Sequence, residues 1–471
     1  MKTIKAFTKR QMCLLFVCAM SASPMLGAIS PMGGVARRPQ ATRNDKIGAK
    51  VDAYLQPYLK MKAFSGAILI ARKGKVLLSR GYGMANYEFD VPNTPQTKFH
   101  IASVSKIFTA AAIMILEERG LLSFNDPLNK YIPDYPNGEK ITVHHLLTHR
   151  SGIPNLSGPD YDERSKSAQT LTSVIESFKN RPLTMQPGER FSYSNSNYEV
   201  LAFIIEKVSD KSYGEFLKEN IFDPLGMKDT GHDGNAAAII KNRALGYATA
   251  GLDGPEKVGY LDFTIKTGSG SLYTTVADLY KWDLALNTEK ILKKSSLHKM
   301  FAEPYSWFVG QRFNRRVFYY GGRVPGFQAE LHRYVDDDVC IIVLSNFQGG
   351  LANLMANDMA AIALGEKYQI LQLEKSSRVG PTMANAYIGR YRGEESFIRP
   401  NEVVTVDEKE GQLFLHLSPE ETSALLPETN GKFYDRKSGA QVTFVKDETG
   451  KVSYLVMRFG EDYRARRIED K

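Results

Sequence analysis

The segment His100-Ile101-Ala102-Ser103-Val104-Ser105-Lys106-Ile107-Phe108-Thr109-Ala110-Ala111-Ala112 sets a hydroxyl and an amine three residues apart at the start of a long apolar, alanine-rich stretch. On a helix that spacing puts both side chains on one face, about one turn apart, where the Lys106 amine can take the Ser103 proton. The chemistry implied is a serine nucleophile with a lysine base. Ser and Lys at this separation also recur by chance, and an N-cap serine beside a solvated lysine is the competing reading, so the rest of the chain has to decide.

Four further stretches follow in order. They are Leu146-Leu147-Thr148-His149-Arg150-Ser151-Gly152, then Pro187-Gly188-Glu189-Arg190-Phe191-Ser192-Tyr193-Ser194-Asn195 with its Tyr-x-Asn element, then Phe222-Asp223-Pro224-Leu225-Gly226-Met227, and finally the run from Gly268 to Leu279. Together with Ser103-x-x-Lys106 they resemble the serine hydrolases of the class C β-lactamase and D-Ala-D-Ala carboxypeptidase type, a group that includes esterases and D-amino-acid peptidases. The resemblance runs from about Phe64 to about Leu364 and is far more specific for the family than for a substrate.

Ser103 is the expected nucleophile, and its own backbone N–H, near a helix start, is an oxyanion donor. Lys106 must be neutral to act as a base, whereas a free lysine titrates at about 10.4; burial against Ile107 and Ala110 would lower it. Tyr193 is the second proton carrier, a phenol able to shuttle between the serine and the leaving group. The resemblance implies that Asn195 orients Lys106 or binds the substrate's amide carbonyl. It also places the third motif at Tyr320-Gly321-Gly322-Arg323, with Tyr320 where β-lactamases carry Lys and many esterase-like relatives carry His. Gly322 is expected to let substrate lie against the strand, and the Arg323 N–H to be the second oxyanion donor. A lysine would pin a substrate carboxylate with about 1.5 to 3 kcal/mol, against about 0.5 to 1.5 for a neutral donor such as Tyr320. Carboxylate recognition should therefore be weak, and the Arg323 side chain, an odd number of residues away, should point to the other face. A literal Lys266-Thr267-Gly268 lies upstream of the expected strand and is a chance match.

Two other clusters suggest metals. His145 and His149 have helical ligand spacing, yet no HExxH glutamate accompanies them, and a structural role for His149 is expected. Asp336-Asp337-Asp338 sits between two strand-like runs and reads as a solvated hairpin turn. Neither metal nor cofactor is implied.

With 471 residues, 43% hydrophobic and 24% charged, the chain has the composition of a globular protein of more than one domain. Its net charge of +9 is spread among interleaved acids and bases, without a zinc-finger or aromatic-basic RNA pattern, so no nucleic-acid partner is expected. Lys2, Lys5, Lys9 and Arg10 precede the short apolar run Met12 to Met20, followed by small residues. Residues 1–28 thus read as a secretory signal, cleaved after Ala28 or near Ser21, with an uncleaved anchor as the one route to the membrane. An exported protein, periplasmic or secreted, is expected. Of three cysteines two lie in this segment, leaving Cys340 in an apolar run as an inert core thiol.

The reading predicts a hairpin from Gly66–Ala71 and Lys75–Ser79, strands at Arg316–Tyr320, Gln328–Tyr334 and Val339–Leu344, and a closing helix from Leu351 to Leu364. The fold class is α/β: the resemblance implies an antiparallel sheet flanked by helices, with an all-helical half inserted and the site between them. Residues 44–365 form this hydrolase domain and 366–382 a linker. Residues 383–471, with turn signals at Glu410-Gly411, Asn430-Gly431, Ser438-Gly439, Thr449-Gly450 and Phe459-Gly460, resemble a small lipocalin-like barrel. A chain ending near Leu364 is expected to fold by itself. The expected partner is a small ester, amide or peptide, cell-wall-derived compounds included. A β-lactamase or D-Ala-D-Ala carboxypeptidase, and a non-catalytic penicillin or peptidoglycan sensor, are the alternatives.

Overall fold

The computed structural model describes residues 43–468 apart from 251–253, 304, 350, 377, 396, 398–399, 419–420 and 459–461. Residues 1–28, expected to be a secretory signal, and the Phe459-Gly460 turn signal lie outside the described residues.

Six strands, β1 (Gly66–Arg72), β2 (Lys75–Tyr82), β3 (Phe308–Arg312), β4 (Arg315–Val324), β5 (Phe327–Tyr334) and β6 (Val339–Ser345), form one antiparallel sheet in the order β3-β4-β5-β6-β1-β2. Early and late strands therefore pair across the helical insertion, Ile68 opposite Val343 and Ile70 opposite Ile341. The β1-β2 turn places Lys73 and Gly74 at φ 51° and 70°, as a tight hairpin requires. Edge strand β3 was not foreseen, because its sequence Phe-Val-Gly-Gln-Arg has no apolar alternation and little of it is buried.

The unbroken apolar runs of β1 and β6 follow from having both faces covered. Ala67 and Leu69 pack into the helical half, while Ile68 and Ile70 pack under α1 (Arg43–Lys60) and α5 (Leu351–Leu364). Between them in sequence, α2 (Ser105–Glu118), α3 (Asn195–Ser209) and α4 (Val276–Ala285) build the helical half. Helix α2 is almost wholly buried, which accounts for its alanines: small side chains let neighbouring helices approach on every side.

The C-terminal region is a closed eight-stranded barrel running from Gly389–Gly393 to Asp462–Ile468. Its interior is filled by side chains such as Tyr391, Leu413, Phe433 and Leu455, and the short helix Pro381–Tyr387 adds Tyr387, stacked 4.3 Å from Phe444. Two barrel residues, Leu426 and Tyr434, belong to the same buried cluster as α1 and α5. Tyr434 meets the Tyr58 ring edge-on at 5.9 Å, and Arg436 donates to the Met61 carbonyl at 3.0 Å. The expectation that the chain folds alone when cut near Leu364 is revised accordingly, because the cut uncovers apolar surface of α1 and α5. The connecting segment also takes part: Tyr368 and Leu373 pack on that cluster, and Leu373 bridges to Glu428.

Candidate active site

Ser103 lies in a single turn, Ala102–Val104, that leads straight into α2. Ala102 is held at φ 49°, a left-handed conformation that costs a residue with a Cβ about 1 kcal/mol or more and bends the chain sharply before the nucleophile. The turn rests on β4 at Gly322. A Cβ there would sit 2.3 Å from the Ile101 carbonyl oxygen and 2.8 Å from the Ser103 nitrogen. The missing Cβ at Gly322 thus brings the Ser103 backbone against the strand. The same contact sets the Ser103 amide beside the residue preceding Arg323. The Arg323 side chain is exposed, two residues along from Gly321, whose missing Cβ faces Glu330, and so lies on the opposite face from Tyr320.

Four predicted side chains converge. Ser103 Oγ is 2.9 Å from Tyr193 Oη and accepts from Lys106 Nζ at 3.0 Å. Lys106 is fully buried and also donates to Asn195 Oδ1 at 2.9 Å and to the Ser269 carbonyl at 2.8 Å. Burial lowers the Lys106 pKa, against the opposing pull of Tyr193, and Lys266 adds to the lowering. Burial pushes the Tyr193 phenol up, but the Lys106 ammonium and Ser103 hydroxyl beside it outweigh that and bring it below the usual tyrosine value. The lysine is thereby shifted toward its neutral form and the tyrosine toward its phenolate, which brings the two closer to exchanging a proton.

Neighbouring residues hold this group in place. The His149 ring lies 4.5 Å from the Tyr193 ring, and its Nδ1 accepts from the Ser194 N–H at 3.2 Å. Burial, with Lys106 nearby, pushes His149 down to about 3, so it is a neutral support. His145 caps its own helix through Thr142. Asp337 pairs with Arg315 at 2.9 Å and Asp336 with Arg316 at 3.5 Å in the β5-β6 turn. Lys266-Thr267-Gly268 lies in a helical turn and not on a strand.

Tyr320 departs from expectation. Its hydroxyl is buried beside the Tyr193 hydroxyl, and its ring lies 5.3 Å from Phe308. Burial pushes this phenol well above its ordinary value. It lies against Tyr193 and is almost wholly buried, so little of it is exposed to a substrate carboxylate in this conformation.

Two participants escaped the sequence reading. Asn155 Oδ1 accepts from both the Asn195 backbone N–H (2.8 Å) and its Nδ2 (3.1 Å), which turns the Asn195 oxygen toward Lys106. Ser269 acts through its main chain, which no side-chain pattern reveals. The quoted Gly268 stretch was the available signal: a Cβ on Gly268 would lie 1.9 Å from the Tyr198 carbonyl oxygen, so only glycine lets this turn reach Lys106.

A serine hydroxyl between a buried lysine and a tyrosine, at the junction of an antiparallel sheet and a helical half, defines a serine hydrolase of the penicillin-binding class. The chain belongs to the β-lactamase family, which matches residues 51–365, and a domain of unknown function matches 376–470. It is 35% identical over 298 residues to the putative penicillin-binding protein PbpX of Bacillus subtilis (strain 168), covering 62% of this chain and 73% of that protein. Among solved structures it resembles the octameric penicillin-binding protein homologue from Pyrococcus abyssi, at 26% identity and TM-score 0.63, covering 89% of this chain and 100% of that one. It shares its fold with the D-amino acid amidase from Ochrobactrum anthropi SV3, at 21% identity and TM-score 0.62, covering 68% and 99%.

Proposed function

We propose that this protein is an exported hydrolase, carried out of the cytoplasm by residues 1–28, that forms an acyl-enzyme at Ser103 with esters, amides or peptides, cell-wall-derived ones included. The observation that carries the reading is the placement of Ser103 Oγ between Tyr193 Oη and Lys106 Nζ. Tyr193, with Lys106 stabilising its phenolate, takes the Ser103 proton as Oγ attacks the carbonyl carbon. The Ser103 and Arg323 N–H groups receive the developing oxyanion. Tyr193 then passes the proton to the departing alkoxide or amine. Water repeats the sequence on the acyl-enzyme: its proton goes to Tyr193, its oxygen to the carbonyl carbon, and Ser103 leaves with the proton returned.

The buried Tyr320 hydroxyl supports substrates without a required terminal carboxylate over penicillins and cephalosporins. Loss of a charged partner removes on the order of 1 kcal/mol or more, up to about tenfold in selectivity. The test compares kcat/KM for a p-nitrophenyl ester and a chromogenic cephalosporin on wild type and Tyr320→Lys. The ester should be preferred by wild type. Cephalosporin turnover exceeding that of the ester, and unimproved by lysine, would return the protein to the β-lactamases. The names of its relatives keep penicillin binding without turnover as the second reading. Labelling by a fluorescent penicillin, with no ester hydrolysis, would favour it.

A further inference from the structure

Glu199 is fully buried in α3, four residues after Asn195 and therefore on the same helix face. A buried carboxylate is expensive unless its oxygens are satisfied, so its partners matter. Oε2 accepts from the Gly268 N–H at 3.0 Å. Oε1 and the Ser269 hydroxyl lie buried near each other, neither within normal hydrogen-bond distance of a partner. Gly268 and Ser269 form the turn whose Ser269 carbonyl is the third acceptor around Lys106 Nζ. The Gly268 carbonyl on the same turn accepts from Thr109 of α2 at 2.7 Å, so the turn is tied to α3 by Glu199 and to α2 by Thr109.

We propose that Glu199 is a positioning residue for the reaction: it fixes the Gly268-Ser269 turn so that the Ser269 carbonyl orients the Lys106 amine toward Ser103. The inference rests on the hydrolase reading above. Lys106 is the only one of Ser103's two hydrogen-bonding side chains that this clamp reaches; Tyr193 is held separately by His149. Charged and titratable groups around Glu199 are Lys106 on α2, Lys266 on the preceding turn and Tyr213 on the helix Tyr213–Leu217. Burial raises the Glu199 carboxyl, and either protonation state retains an oxygen for the Gly268 N–H. The essential property is thus an acceptor of the right length, not a charge.

That distinction sets the experiment. Glu199→Gln keeps an acceptor at the same reach, while Glu199→Met fills the same space with none. On a p-nitrophenyl ester, Glu199→Met should lose about 10- to 100-fold in kcat with KM little changed, as expected when the lysine that stabilises the Tyr193 phenolate is misaligned. Glu199→Gln should keep kcat within about threefold of wild type. Should the Met variant fail to fold, Glu199→Asp, one methylene short of Gly268, carries the same comparison with Gln. A Gln variant as impaired as Met or Asp, or a folded Met variant with wild-type kcat, would overturn the proposal. An inactive wild type would instead refute the hydrolase reading on which it rests.

Discussion

Gly322→Ala is a one-carbon change whose consequence can be worked from the contact it creates. The new Cβ would meet the Ile101 carbonyl oxygen at 2.3 Å, the Ser103 nitrogen at 2.8 Å and the Ala102 Cβ at 3.0 Å. Two of these are main-chain atoms that no rotamer change can move. The Ile101 oxygen would have to retreat by about 0.7 Å to reach even 3.0 Å, and Ala102, already at φ 49°, has little freedom to absorb the shift. Overpacking of this kind costs about 1 to 3 kcal/mol. A misplacement approaching 1 Å at the nucleophile costs about 100-fold in rate. We therefore expect kcat/KM for a p-nitrophenyl ester to fall by about two orders of magnitude, with a lowered melting temperature, while Gly321→Ala, whose three nearest contacts all belong to the Glu330 side chain, loses far less rate. Hydrolysis by Gly322→Ala within about threefold of wild type, at an unchanged melting temperature, would refute the idea that this glycine seats the nucleophile turn.

Lys106→Ala and Tyr193→Phe should each remove most of the turnover, and the double variant should be no worse than about the poorer single one, since both act on one proton; additive losses would mean independent roles. Asp358, half-buried and hydrogen-bonded to Tyr54 at 2.6 Å, is pushed up to about 6 by its partial burial, above its unfolded value. Its stabilising contribution is full below about pH 4 and lost as pH rises through about 6, by at most about 3 kcal/mol, so Asp358→Asn should flatten the fall in melting temperature over that range. A chain ending at Leu364 should melt lower than the full chain or aggregate, because it uncovers Tyr58 and its neighbours on α1 and α5; an equal melting temperature would show that the barrel contributes nothing to them.

The sheet was legible because β1 and β6 are buried on both faces and their sequences are nearly continuous apolar runs, whereas β5, equally buried, carries Gln328, Glu330, His332 and Arg333 among its apolar residues. The four converging side chains were legible because Ser103-Lys106 and Tyr193-Asn195 are short-range pairs that keep their spacing on helices and turns. What escaped depends on main chain or on distant packing. The Ser269 carbonyl has no residue-type signature, and Asn155 is an ordinary loop asparagine until the fold brings it to the start of α3. Glu199 read as one more helical glutamate, although its i+4 spacing from Asn195 already put it on the catalytic face. For Gly322, sequence shows that a Cβ is unwelcome, not that the main chain of Ile101 and Ser103 is what excludes it. Tyr320 was placed by resemblance as a substrate contact, and only packing against Tyr193 and Phe308 reveals it as buried.

The central claim is tested most directly by covalent labelling. Wild type and Ser103→Ala are treated with a fluorophosphonate, and the adduct is located by intact mass and peptide mapping. One phosphonyl group on Ser103 of the wild type, and none on a folded Ser103→Ala variant, is the expected result. Equal labelling of both proteins, or an adduct confined to another residue, would contradict the assignment of Ser103 as the nucleophile.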